Sequence, residues 1–66
     1  MMIETLESYW AAELGETVDI VPVGWADSPA EYRLLIGGTD VVSYRHLEEI
    51  EHWLERYMVL EGTNVG

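Results

Sequence analysis

The 66-residue chain carries thirteen acidic side chains against three basic ones, all arginine, for a formal net charge of −10 at pH 7. Such a field repels nucleic acid and anionic membrane, and the absence of cysteine removes any disulfide brace or thiolate metal site. The length admits one domain, and a chain this short buries only about 60% of its unfolded surface.

Disorder is the first expectation from charge, but 48% apolar residues, with three Trp and four Tyr, suffice to build a core. No apolar stretch approaches the ~20 residues of a membrane span. The start, Met1-Met2-Ile3-Glu4, lacks the basic region of a signal peptide. The expectation is a cytoplasmic protein.

In chain order, Ile3, Leu6, Trp10 and Leu14 recur at three- and four-residue steps, which predicts a helix over 3–14 with Glu4, Glu7 and Glu13 off its apolar face. Gly15 stops it, because glycine accepts the left-handed conformation cheaply. Residues 17–25 form a first strand, rich in β-branched Val18, Ile20, Val21 and Val23. Pro22 cannot donate a ladder hydrogen bond, so this strand belongs at a sheet edge or a bulge. Asp27-Ser28-Pro29 is a turn cluster.

Residues 31–36 form a second strand with Tyr32, Leu34 and Ile36 on one face. Gly37-Gly38-Thr39-Asp40 turns the chain into a third strand at 41–43. Ser43 is the expected N-cap of a final helix over 44–60. That helix has an apolar stripe of Leu47, Ile50, Leu54, Tyr57 and Met58, with Trp53 at its margin. Residues 61–66 read as a frayed tail. The fold class is therefore α+β: one small domain over 1–66, ordered α-β-β-β-α, with a three-stranded antiparallel meander packed against two helices.

Little here suggests catalysis. Ser8, Ser28 and Ser43 lack the glycine-flanked elbow of a hydrolase nucleophile. Gly37-Gly38 lacks the lysine and helix that follow in a phosphate loop. His46 and His52 are six residues apart, about 240° round a helix, so one ion cannot easily take both. The four-residue His spacing of a zinc protease is absent, and a metal at Glu49 and His52 is the weakest of the open readings. The chain is read as non-enzymatic, with no catalytic residue, metal or cofactor.

The charge has a functional reading. Glu48, Glu51 and Glu55 rise along one helix by ~4.5 and ~6 Å, whereas duplex DNA carries one charge per ~1.7 Å of axis. A polyanion mimic therefore needs a second acidic face, from Glu4, Glu7, Glu13 and Glu16 of the first helix or from a second subunit, and Glu4 and Glu7 are the first-helix acids expected to bind. The partner would be a basic nucleic-acid-binding protein, with no direct contact to nucleic acid or membrane. All seven aromatics are Trp or Tyr, which pair apolar bulk with a polar handle. Tyr9, Trp25 and Trp53 are the ones expected at the surface. Trp25 with Asp27, and Trp53 beside Glu49, are candidate contacts.

In charge and size the chain resembles small acidic proteins of phages and mobile elements that block host nucleic-acid machinery, among them anti-CRISPR and anti-restriction inhibitors. The likeness implies an inhibitor but carries over no residue roles. The alternatives are a structural module that self-associates, as a homodimer, through the Pro22 edge strand or an aromatic patch, a plain acidic housekeeping domain, and a surface whose acidity serves solvation, as in halophilic proteins.

Overall fold

The computed structural model describes the backbone of residues 2–25 and 27–63, and side chains within those bounds up to residue 60. Five elements follow one another: α1 (Met2–Leu14), β1 (Val18–Gly24), β2 (Pro29–Ile36), β3 (Thr39–Tyr44) and α2 (Leu47–Thr63). The strands form one antiparallel sheet in the order β1-β2-β3, so the expected α-β-β-β-α architecture is present and Pro22 does lie on an edge strand.

The pairing follows the two-residue alternation of side chains. Val18 opposes Ile36 and Ile20 opposes Leu34 across β1 and β2, while Leu34 opposes Val42 and Tyr32 opposes Tyr44 across β2 and β3. Opposed residues share a face, and this one is covered by the helices. α1 lies over β1, and α2 over β3 and β2. Trp10, Val18, Ile20, Leu34, Ile36, Ile50 and Leu54 form the buried core, flanked by Ile3, Leu6 and Leu14.

The other sheet face stays open to solvent. Arg33 lies there between Glu31 (3.8 Å) and Asp40 (3.7 Å), pairs exposed enough to contribute little stability.

Glycine sets two of the junctions. Gly15, at φ 73°, donates its N–H to the Ala11 carbonyl at 2.9 Å and closes α1. Gly37 and Gly38, at φ 60° and 82°, form a two-residue hairpin loop whose twist matches the strands it joins. The turn is tighter than the sequence suggests, because Thr39 and Asp40 already belong to β3.

Three expected boundaries are corrected. Ser43 is not a helix N-cap: it pairs with Arg33 and Tyr44 with Tyr32, so β3 runs to Tyr44 and the helix begins at Leu47. His46 precedes that helix and accepts the Glu49 N–H at 3.1 Å. Pro29 opens β2 rather than closing a turn, because the missing N–H is tolerated at a strand's first residue. The last helix extends past residue 60 to Thr63, while 64–66 lie outside the described residues.

Candidate functional site

Helical spacing governs how α2 presents its acids. Glu48, Glu51, Glu55 and Met58 stand at steps of three and four residues and share one stripe. Glu51, Glu55 and Met58 of that stripe lie on the side of α2 that faces α1. The helices diverge enough to leave a groove lined by Leu6, Tyr9 and Trp10 from α1 and by Glu51, Glu55 and Met58 from α2. A second, shallower depression continues outward over Tyr9 to Ser8 and Glu4. The groove is therefore apolar at its floor and acidic at its rim.

The floor is built on Trp10, which is buried, with Tyr9 set edge-on against it at 5.1 Å between ring centroids. The Trp10 indole N–H has no acceptor among the described residues. A buried donor left unpaired costs about 1–3 kcal/mol. Tyr9 is 55% exposed and Met58 38%, so the groove presents large, mainly apolar side chains to solvent.

The expected partner-binding residues separate into four places. Glu51 and Glu55 rim the groove, Glu4 flanks the depression that continues from it, and exposed Glu48 extends the stripe toward the start of α2. Glu7 is turned inward: its carboxylate accepts the Ile20 N–H at 2.7 Å. Trp25, 81% exposed, and Asp27 sit on the β1–β2 connection and line neither depression. Trp53 lies on another side of α2, stacked on Tyr57 with centroids 5.0 Å apart and planes 11° from parallel.

The aromatic and apolar members of the groove were missed by sequence reasoning. Met58 falls at the edge of a helical stripe that reads as core. Tyr9 carried the signal of a surface aromatic but nothing that linked it to α2.

Glu49 and His52 border a depression with Tyr44, Trp53 and Arg56. Among the described residues no group of three His, Cys, Asp or Glu side chains is placed to hold a metal ion. Nor is any described helix long and apolar enough to cross a membrane. No protein-family model matches the chain, and no curated protein or solved structure matches it either.

Proposed function

We propose that this chain is a non-enzymatic binding domain that occupies a basic, nucleic-acid-binding surface of another protein and so inhibits it. The observation that carries the reading is the acidic stripe Glu48, Glu51 and Glu55 running beside an apolar groove floored by Trp10 and Tyr9. Such a face offers two things to a basic partner. The carboxylates steer its approach and discriminate against other surfaces. The groove offers a pocket for an apolar or aromatic anchor, the kind of contact that dominates interface energetics.

The stripe alone is about threefold sparser in charge than duplex DNA, and Glu7 is spent on the fold. The partner is therefore held by an apolar anchor with basic flanks, rather than by a copied phosphate backbone. The cytoplasm is the place of action on this reading, and interference with a host restriction or CRISPR system by a phage or mobile element is the activity it fits.

The test is a pull-down from host lysate at moderate salt, with and without excess duplex DNA, using the native chain and the triple variant Glu48→Lys/Glu51→Lys/Glu55→Lys. The reading expects a nucleic-acid-binding protein that DNA displaces and that the folded triple variant fails to capture. Capture that survives charge reversal would sink it.

A further inference from the structure

We propose that α2 pairs antiparallel with α2 of a second copy of this chain, through the stripe formed by Glu49, Trp53, Arg56 and Leu60. This inference stands on a different face from the acidic groove and does not depend on it.

The spacing comes first. Steps of four, three and four residues are those of a helix–helix seam, and they place these four side chains along one line of α2. The seam is available: Glu49 and Arg56 are exposed, Leu60 is 66% exposed, and Trp53 is half-buried. Trp53 is held flat against Tyr57, so it presents a rigid aromatic surface at little entropic cost. Shallow depressions lie on both sides of the Trp53–Arg56 pair, one reaching Tyr57 and Leu60, the other Tyr44 and Glu49. Trp, Tyr and Arg are the residues that most often anchor interfaces.

Charge selects the occupant and its direction. On a chain of net charge −10, a second copy is repelled from most faces. This stripe carries one acid and one base and is locally neutral. The two ion pairs among the described residues both belong to Arg33, which leaves Glu49 and Arg56 to pair across an interface. A parallel pair would set Glu49 against Glu49 and Arg56 against Arg56. An antiparallel pair about a two-fold axis near residues 52–53 instead sets each Arg56 opposite the Glu49 of the other copy, about one helical turn from its Trp53, satisfying the self-complementarity that such symmetry demands and leaving the guanidinium within reach of the Trp53 face for a cation–π contact.

The sheet edges are poorer routes to a dimer. β1 is blunted by Pro22 and by the Glu7 carboxylate on the Ile20 N–H, and the β3 register shifts at Val41; both devices discourage strand addition. A domain of this size also gains most from oligomerisation. The pairing leaves the Glu48–Glu51–Glu55 stripes outside the seam and places two of them in one assembly.

The experiment is sedimentation velocity on the 66-residue chain from micromolar to near-millimolar concentration, with folding checked by circular dichroism. The native chain is expected to dimerise. Arg56→Glu is expected to remain folded and to weaken dimerisation by about tenfold or more, since it opposes like charges across the seam. The double variant Glu49→Arg/Arg56→Glu is expected to regain the dimer, because both sides are reversed together. A native chain that stays monomeric overturns the proposal. So does an Arg56→Glu dimer of native strength, which would place the contact at another face such as the β3 edge, or a double variant as weak as the single.

Discussion

The carboxylate of Glu7, on α1, accepts a hydrogen bond at 2.7 Å from the backbone N–H of Ile20, on the edge strand β1. Thirteen residues of chain separate the two. The contact satisfies a donor that no neighbouring strand pairs, locks α1 to the sheet, and closes part of an edge that could otherwise recruit another strand.

Hydrogen bonds to a charged acceptor contribute about 1.5–3 kcal/mol, and partial exposure here puts this one toward the lower end. Glu7→Ala is expected to lower unfolding stability by about 1–2 kcal/mol in urea denaturation, with Glu7→Gln losing less because its amide oxygen still accepts. Both variants remove the same charge, so their difference reports the hydrogen bond together with the packing of the side-chain stem. Equal midpoints would mean that the contact contributes nothing.

Leu54 is fully buried between α2 and the sheet. Leu54→Ala is expected to cost about 2–5 kcal/mol through lost burial and the cavity left behind. In a domain this small that is a large part of the total, so the variant is expected to be largely unfolded at 37 °C by circular dichroism. A native-like melting curve would show that the core collapses around the gap.

Gly38 stands at φ 82° with open space where a Cβ would point. The strain of Gly38→Ala is therefore purely backbone, about 1–2 kcal/mol, and should appear as a lower midpoint without a change in fold. Gly24, at φ 122°, is more demanding. A Cβ there would lie 2.8 Å from the Ala30 backbone nitrogen, so Gly24→Ala is expected to cost more than Gly38→Ala in the same assay. The reverse order would indicate that the β1–β2 connection yields readily.

Tyr9 is exposed at the groove, whereas Trp25 is exposed on the β1–β2 connection. Once a partner is in hand, Tyr9→Ala is expected to weaken binding by about tenfold or more, as loss of an interface anchor does, and Trp25→Ala to leave it nearly unchanged. Binding should also weaken as salt rises, because exposed charges are screened within about 8 Å at physiological ionic strength. Calorimetric titration reads both effects, and a salt-independent affinity would remove the electrostatic part of the proposed function.

The elements were legible where one local pattern acted alone. Ile3, Leu6, Trp10 and Leu14 marked the buried side of α1 by spacing, Tyr32, Leu34 and Ile36 marked that of β2 by alternation, and Gly37-Gly38 marked the hairpin. Ser43 misled because its capping preference is local and modest, about 1 kcal/mol, while the β2–β3 ladder and the inward packing of Tyr44 claimed it for a strand. Among the candidate binding residues, the Glu48–Glu51–Glu55 stripe could be read from helical period. The inward turn of Glu7 could not, because an i, i+3 pattern reports the side of a helix and not what stands beside it.

The sequence by itself determined the order and kind of the five elements, their apolar faces and the excess of negative charge, since each depends on residue type and on spacing within a few residues. Only the tertiary structure decided that Trp10 and Tyr9 floor a groove rimmed by Glu51 and Glu55, that Glu7 serves the sheet edge, and that Glu49, Arg56 and Leu60 stay exposed beside the half-buried Trp53. Those relations depend on the angle and separation at which α1, α2 and the sheet meet. That geometry is set by the packing of Trp10, Ile50 and Leu54 against Ile20 and Leu34, a balance of shapes from distant parts of the chain that no single segment records.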